Sequence, residues 1–371
     1  MMQQFNFIFT VGIVVTLFGP IANAQSASDK VKAYLANEME KQKIPGLQIV
    51  VIYQGKVVLS EALGIANFEF SVPTSKHTIF SINSITKVFT ATSILQLVEE
   101  DKIDIEMPIS KYLDNLPSNW RSVTVKQLLS HTSGLPNIED SITGELIGNK
   151  GQVVAWEKVK TLALLSPPGE KFSYNATNYI LLGKILDKYG KLPFEKYIQK
   201  HQLDLVEMKE TIYGNSFDVI KNKAPTYTYF YQDKDTGESI KGNQLLQVYE
   251  DFPTMLRTDA GMFSTAEEIA KWIIALQNNL LLKYEKNIKM MWTPVKLNNG
   301  QIDGFGGILN GYALGWPVAV RKDHPAVAAV GGGRAALMIY PDDNLCIILL
   351  TNLSGCSPEL TIEKIAEFYF K

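Results

Sequence analysis

The sequence has 371 residues, of which 46% are hydrophobic and 20% are charged, and its formal net charge at pH 7 is −2. A chain of this length and composition can bury a substantial core, so we expect a globular protein of one large domain or two closely packed ones rather than a disordered chain. The small net charge and the even spread of lysines argue against a nucleic-acid-binding surface or a polybasic membrane patch.

The first 24 residues have the pattern of a cleaved signal peptide. An apolar run at 5–18 precedes the triplet Ala-Asn-Ala at 22–24, and the first charged side chain is Asp29. A short apolar core that ends in Ala-x-Ala is typical of such a signal, although a basic residue usually precedes it. The alternative, a membrane anchor, is disfavoured because the run is short for a bilayer span. We therefore predict an exported protein, periplasmic or secreted, with a mature domain at 25–371 and no stable membrane span after cleavage.

Strand-like segments follow at the start of this mature chain. After a helical pattern that includes Val31 and Leu35, two apolar runs occupy residues 47–53 and 57–63. The Gln-Gly pair between the runs allows a tight turn, so the pattern predicts a helix followed by a β-hairpin.

Helical patterns dominate the middle of the chain, and strands return at its end. Residues 84–290 contain helical periods and capping boxes that begin at Thr124 and Thr265. Two strand-like runs separated by a turn cluster then lie within 335–350, and Ser357 with the following proline begins a closing helix.

This order predicts an α/β (α+β) fold. We expect one antiparallel sheet built from both chain ends and flanked by helices, with a mainly helical domain inserted between its halves. The sheet part would comprise about 25–83 and 291–371, and the helical part about 84–290.

The cysteines and histidines give no sign of a metal site. Cys346 lies in an apolar strand-like run, which favours a buried thiol; a disulfide with Cys356 would have to join a strand to the loop before a helix. The four histidines show no metal-ligand spacing, so no metal or other cofactor is predicted.

Ser84 and Lys87 are the first candidates for chemistry. A Ser-x-x-Lys sequence is expected about once by chance in a chain this long, so its position has to decide its meaning. It lies where a strand-and-loop region gives way to a helical period. Residues three apart share one helix face, and a helix N-terminus favours developing negative charge. The serine could therefore act as nucleophile and the lysine as its base.

Five sequence blocks in a fixed order extend this motif along most of the chain. They are 78–91 around Ser84, Leu-Leu-Ser-His-Thr-Ser-Gly-Leu-Pro at 128–136, Pro-Gly-Glu-Lys-Phe-Ser-Tyr at 168–174, Gly-Met-Phe-Ser-Thr-Ala at 261–266 and Leu-Gly-Trp at 314–316. Together they resemble the serine β-lactamase and penicillin-binding-protein superfamily, and most closely its branch of class C β-lactamases, DD-peptidases and esterases. The resemblance runs from about residue 47 to residue 352.

The resemblance implies a β-lactamase/transpeptidase-like fold and a role for each motif residue. Ser84 would be the nucleophile, Lys87 its base and Tyr174 the proton relay, although Tyr174 could instead be a packed aromatic side chain. The backbone N–H groups of Ser84 and Gly332 would form the oxyanion hole. His131 lies in an element that is a structural turn in the family, so we do not expect it to belong to a Ser-His-Asp triad.

Two family motifs are incomplete in this sequence. The Tyr-x-Asn motif reads Tyr-Asn-Ala, which places Ala176 where an asparagine normally helps to hold the substrate and the lysine; Asn178 lies one turn further along. The Lys-Thr-Gly or His-x-Gly motif reads Ala-Val-Gly and begins at Ala329, so its basic or imidazole group is missing. Arg334 follows closely and could restore a positive charge at the pocket rim, or could be a solvated strand residue.

These features favour a serine hydrolase that cleaves an ester, a small amide or a peptide through an acyl-enzyme on Ser84. One alternative is a DD-carboxypeptidase or β-lactamase that acts on D-alanyl peptides or β-lactams, with Arg334 and Asn178 as compensating substrate-binding residues. A non-catalytic binding homologue is the third hypothesis, and the intact catalytic trio argues against it. The expected partner is a small-molecule or peptide substrate, and the oligomeric state is left open.

Overall fold

The computed structural model describes residues 19–140, 144–148, 150–233 and 236–370. Within them the helices are α1 (Gly19–Gln42), α2 (Thr86–Glu99), α3 (Val125–Leu129), α4 (Gln152–Val159), α5 (Ala176–Gly190), α6 (Phe194–Ile198), α7 (Ala266–Gln277), α8 (Glu285–Trp292) and α9 (Pro358–Ala366). The strands are β1 (Gly46–Tyr53), β2 (Lys56–Asn67), β3 (Val72–Pro73), β4 (Phe80–Ser81), β5 (Ile212–Tyr213), β6 (Thr226–Gln232), β7 (Ser239–Val248), β8 (Met262–Ser264), β9 (Gly311–Tyr312), β10 (Pro317–Ala319), β11 (Ala326–Gly331), β12 (Ala335–Tyr340), β13 (Leu345–Thr351) and β14 (Leu353–Ser354).

An eight-stranded sheet joins the two ends of the chain. Its order is β3-β2-β1-β13-β12-β11-β10-β9, and every neighbouring pair is antiparallel. The junction between the two chain ends is the β1–β13 pair, in which Val50 lies opposite Ile348. The predicted antiparallel sheet from both chain ends, with helices around it, is confirmed.

The central strands are continuous apolar runs because both faces of the sheet are covered. Side chains alternate along a strand, so Leu47, Ile49 and Val51 of β1 share one core with residues of α1 and α9. Val50 and Ile52 face the other way and join the larger core, which includes residues of α2, α5 and α7. A register slip of one residue would exchange these two sets, so the double burial fixes the pairing.

The middle of the chain contains β-structure as well as the predicted helices. A hairpin of β6 and β7 pairs in parallel with β14, through Tyr227 opposite Leu353, and β4, β8 and β5 form a small separate sheet. The sequence of β6, Thr-Tyr-Thr-Tyr-Phe-Tyr-Gln, is rich in β-branched and aromatic residues, which favour a strand. The helical description of 84–290 was therefore too simple, and the domain boundaries themselves stay a prediction.

Three further predictions concern the ends of the chain. Residues 1–18 of the predicted signal peptide lie outside the described residues, and 19–24 belong to α1. None of the helices in the described part of the chain is long and apolar enough to cross a membrane. Cys346 and Cys356 are both free and buried, so the predicted buried thiol at Cys346 is confirmed and the alternative disulfide is not formed.

Candidate active site

Ser84 lies at the entrance to α2. Strand β4 leads into a single 3₁₀ turn, Asn83–Ile85, and α2 follows at once. Asn83 adopts a left-handed conformation, with φ of 47°, and its carbonyl oxygen accepts a 2.6 Å hydrogen bond from the Thr86 hydroxyl. Every residue of α2 from Thr86 to Leu95 is buried. The half-buried serine is therefore fixed at the N-terminal end of a core helix, as predicted.

Lys87 lies directly behind the serine. Its side chain is only 1% exposed, and its Nζ donates hydrogen bonds to Ser84 Oγ at 3.2 Å and to the Asp259 carbonyl oxygen at 3.1 Å. The same Nζ is 2.6 Å from Asp259 Oδ1, an ion-pair contact without the angles of a hydrogen bond. The predicted pairing of Ser84 with Lys87 is thus present in the folded chain.

Tyr174 lies next to both Lys87 and Ser84. Lys87 Nζ lies 4.5 Å from the centroid of the Tyr174 ring, and Tyr174 lines the same cavity as Ser84. Burial and then the Asp259 carboxylate hold the pKa of Tyr174 well above its usual range, although a hydrogen bond with Ser84 acts in the opposite direction. The phenol is therefore protonated at neutral pH and can donate a proton, which suits the predicted relay.

The imidazole of His131 packs against the ring of Tyr174. Its ring centroid is 4.3 Å from that of Tyr174, and its Nδ1 accepts hydrogen bonds from the Asn175 backbone N–H at 3.2 Å and from Asn178 Nδ2 at 3.0 Å. Burial holds the pKa of His131 well below its usual range, and the positive charge of Lys87 lowers this pKa further. A neutral imidazole that satisfies a backbone N–H is a structural element, as predicted for His131.

Asn178 belongs to the same supporting network. Its side-chain oxygen accepts a 2.6 Å hydrogen bond from the Ser133 hydroxyl, its amide nitrogen contacts His131, and its backbone N–H donates to Asn175 Oδ1 at 3.1 Å. Asn178 is completely buried, and Asn175 serves as the N-cap of α5. Both asparagines therefore belong to the buried hydrogen-bond network around His131, and neither lines the cavity.

Arg334 lies behind the cavity rather than on its rim. The residue is 1% exposed, and its Nη2 donates to Ser81 Oγ at 3.1 Å and pairs closely with the Glu250 carboxylate. Glu250 also accepts a 3.0 Å hydrogen bond from Asn83 Nδ2. The segment that follows β7 brings Glu250 to this position, where its carboxylate balances the charge of Arg334. Through Ser81 and Asn83, these two residues also hold the turn that precedes Ser84.

A glycine-rich turn after β11 lies beside Ser84. A side-chain methyl at Gly331 would overlap the carbonyl oxygen of Ile82 and would lie 3.1 Å from the Ser84 backbone nitrogen. Only glycine allows this approach. Gly332 comes next, with φ of 55°, and lines the cavity together with Ser84. The two backbone segments predicted to form an oxyanion hole are therefore adjacent, and that function stays a prediction.

The cavity above Ser84 has a volume of about 430 Å³. Its walls are mainly apolar side chains and glycine backbone. They are supplied by Tyr174, residues 305–309, residues 330–333 and the start of α9 with Glu359 and Leu360. None of the described residues that line it is lysine or arginine. A separate cavity of about 340 Å³ near Trp156 contains none of the predicted catalytic residues, so the Ser84 cavity is the candidate active site.

Two carboxylates near Lys87 were not found from the sequence. One is Asp259, and the other is the half-buried Glu139. Burial and then the Asp259 charge raise the pKa of Glu139 to about 7, with Lys87 opposing them. Asp259 stands two residues before the block at 261–266, yet no spacing relates it to Lys87. Residues far apart in sequence had to be brought together before either carboxylate could be recognised.

Comparison with known proteins identifies the family. The family model described as Beta-lactamase matches residues 31–368. The chain belongs to the Beta-lactamase family. Protein flp of Staphylococcus aureus (strain MW2) is 26% identical over 339 residues, which cover 89% of this chain and 64% of flp. The chain thus spans less than two thirds of the length of that relative.

Solved structures of a penicillin-binding protein homologue and of a hydrolase have a similar fold. The octameric penicillin-binding protein homologue from Pyrococcus abyssi has a TM-score of 0.74 and 26% identity, covering 91% of this chain and 76% of the other. EstCE1, a hydrolase with promiscuous acyltransferase activity, has a TM-score of 0.75 at 18% identity, covering 94% and 100%, and shows likeness of fold alone. The β-lactamase/transpeptidase-like fold is confirmed.

Proposed function

We propose that this protein is a serine hydrolase that cleaves an ester or amide through an acyl-enzyme on Ser84. The observation that carries the proposal is the 3.2 Å contact between Lys87 Nζ and Ser84 Oγ, at the edge of a cavity that Tyr174 also lines. A hydroxyl beside a proton-accepting group can attack a carbonyl carbon, which a serine in water does poorly. Attack on the carbonyl places a negative charge on its oxygen, and the backbone N–H groups of Ser84 and Gly332 are the expected donors to this oxyanion.

Acylation would proceed in two bond changes. Ser84 Oγ forms a bond to the substrate carbonyl carbon while Lys87 Nζ, in its neutral amine form, takes the hydroxyl proton and becomes an ammonium. The bond from that carbon to the leaving oxygen or nitrogen then breaks, and the leaving group takes a proton from Tyr174, whose raised pKa keeps the phenol protonated until then. The Lys87 ammonium returns its proton to the Tyr174 phenolate, which restores both groups. Water repeats the sequence on the ester formed with Ser84, which releases the acid and restores the serine.

The charges around the cavity favour a substrate without a carboxylate next to the reacting carbonyl. Lys87 is paired with Asp259, and Arg334 is paired with Glu250. Ala176 and Ala329 replace polar groups of the family motifs. Each missing hydrogen bond to a buried substrate group costs about 1–3 kcal/mol. An ester, a neutral amide or a peptide bond therefore fits the site better than a β-lactam or a D-alanyl-D-alanine end.

A DD-carboxypeptidase or β-lactamase is the second candidate. It is favoured by the 26% identity to the penicillin-binding protein homologue from Pyrococcus abyssi, over 91% of this chain. Such an activity would need a positive group for the substrate carboxylate, which the described residues that line the cavity do not supply. We therefore rank it below the ester or amide hydrolase.

One experiment separates these functions. Three proteins are incubated with a p-nitrophenyl ester and with a chromogenic β-lactam: the mature protein, its Ser84→Ala form and a control Ser118→Ala form. The control alters an exposed serine in the 3₁₀ turn at 118–120. We expect ester turnover in the wild type and the control but not in Ser84→Ala. Rapid β-lactam hydrolysis, or a long-lived adduct in the intact mass, would support the second candidate. Absence of any Ser84-dependent product or adduct over a broad substrate panel would point to a binding protein.

We also propose that the protein is exported, to the periplasm or outside the cell, on the strength of the apolar run and the Ala-x-Ala triplet that precede residue 25. N-terminal sequencing of the protein recovered from a bacterial host tests this. A start at Gln25 in the exported fraction is expected, and an intact N-terminus confined to the cytoplasm would contradict the proposal.

A further inference from the structure

Asp259 supplies most of the polar surroundings of the Lys87 amino group. Its carbonyl oxygen accepts a 3.1 Å hydrogen bond from Nζ, and its carboxylate lies 2.6 Å from the same atom. Among the described residues, the only other polar contact of Nζ is Ser84 Oγ. Both partners are deeply buried, with side chains 1% and 8% exposed. Among the described residues, Asp259 is therefore the carboxyl residue in direct contact with the lysine.

The backbone around Asp259 is held rigidly between two core helices. Thr90 of α2 donates through its hydroxyl to the Thr258 carbonyl oxygen at 2.8 Å, and the Thr258 hydroxyl donates to the Tyr179 carbonyl oxygen of α5, also at 2.8 Å. The Asp259 backbone N–H donates to the Leu256 carbonyl oxygen at 2.8 Å. These bonds fix the position from which the carboxylate meets Lys87.

The neighbouring positions offer no other partner. Ala176 is buried and stands where the Tyr-x-Asn motif would place an amide, but a methyl group cannot hydrogen-bond to Nζ. The amides of Asn175 and Asn178 are occupied by the cap of α5 and by His131. Among the described residues, the Asp259 carboxylate is thus the side chain that can do for Lys87 what the missing amide would do.

We propose that Asp259 is a positioning residue that holds Lys87 Nζ against Ser84 Oγ and balances the positive charge of the lysine whenever it carries the proton in the reaction. The inference rests on the proposed function. A buried ammonium without a partner is strongly disfavoured, so the carboxylate allows the charged lysine to stay beside the serine. Asp259 itself does not touch the substrate in this scheme and acts through Lys87.

Other titratable groups surround the lysine and set the electrostatic background. The phenols of Tyr174, Tyr179 and Tyr312 all have a pKa raised well above the usual range by burial, and the imidazole of His131 is neutral. Glu139 is the remaining carboxyl, with a pKa raised to about 7 by burial and by Asp259. Loss of the Asp259 charge is therefore expected to lower the pKa of Glu139, which a purely structural role for Asp259 would not explain.

The test compares wild type, Asp259→Asn and the control Asp251→Asn, which removes an exposed charge from the same segment. The rate at which a fluorophosphonate probe labels Ser84 is followed by intact mass over a range of pH. We expect Asp259→Asn to be slower by on the order of 100-fold, because the uncharged amide leaves the protonated lysine without its counter-charge, with the control equal to the wild type. We also expect the Glu139 midpoint in the pH profile to fall in this variant.

The outcomes distinguish the inference from the proposed function. A wild type that is not labelled at Ser84 refutes the proposed function whatever the variants do. A labelled wild type with an equally fast Asp259→Asn form and an unchanged pH midpoint overturns the inference alone. If Asp259→Asn does not fold, Asp259→Glu keeps the charge but displaces the carboxylate by one methylene group; it is expected to label at least about tenfold more slowly, and a wild-type rate would overturn the inference.

Discussion

Replacement of Glu250 by alanine is expected to weaken both the fold and the reactivity of Ser84. The carboxylate pairs with Arg334, and the exposed fractions of the two side chains are 21% for Glu250 and 2% for Arg334. Removal of one partner of a buried ion pair costs about 3–5 kcal/mol, because the other charge is left without compensation. Glu250 is partly open to solvent, so we expect the lower end, about 3 kcal/mol. Asn83 also loses the acceptor of its 3.0 Å hydrogen bond.

Urea unfolding followed by tryptophan fluorescence measures this change in the free energy of unfolding. The double variant Glu250→Leu with Arg334→Met removes both charges and is expected to recover much of the loss, since apolar replacements of a buried pair are often neutral. Labelling of Ser84 should be slower in the single variant because the turn that carries the serine loses its brace. A loss below about 1 kcal/mol, typical of exposed pairs, with unchanged labelling would refute the reasoning.

Three further changes test other parts of the site. Tyr174→Phe removes the proposed proton donor, and turnover of an ester is expected to fall by about 100- to 10,000-fold in steady-state kinetics; an unchanged rate would exclude the relay. Because the pKa of Glu139 is raised from 4.5 to about 7 in the folded state, its contribution to stability is complete below pH 4.5 and is lost as the pH rises through 7. Glu139→Gln should therefore be the more stable protein above pH 7 in urea unfolding, and equal stability there would contradict the raised pKa. Gly331→Ala should slow labelling of Ser84, because the added methyl group overlaps the Ile82 carbonyl oxygen in the turn before the serine. The control Gly300→Ala meets no neighbouring atom and should show only the cost of its left-handed backbone, about 1–2 kcal/mol in the free energy of unfolding. Equal labelling rates in the two variants would contradict the close approach of Gly331 to this turn.

The sequence by itself was sufficient for the local parts of the site. Ser84 and Lys87 are three residues apart, so any helix that begins there brings their side chains together whatever the rest of the chain does. The capping boxes predicted at Thr124 and Thr265 depend on neighbours three residues away. The box at Thr124 is complete, whereas at Thr265 only the N-cap half forms, because the Glu268 carboxylate accepts hydrogen bonds from the Glu210 backbone N–H and the Thr211 hydroxyl instead. The apolar runs at 47–53 and within 335–350 indicated strands at both chain ends, and these strands pair in one sheet.

Only the tertiary structure showed how the charges of the site are matched. Asp259 lies 172 residues from Lys87 in the sequence, and Glu250 lies 84 residues from Arg334. No periodicity relates such residues, because their contact depends on the β6–β7 hairpin and on the segment held between α2 and α5. The sequence therefore predicted Ser84, Lys87 and Tyr174 as the catalytic residues, while the folded chain decided that Arg334 is buried in an ion pair and that Asp259 is the partner of Lys87. Local geometry follows from the backbone within a few residues, but electrostatic balance depends on which distant side chains folding brings within a few ångströms.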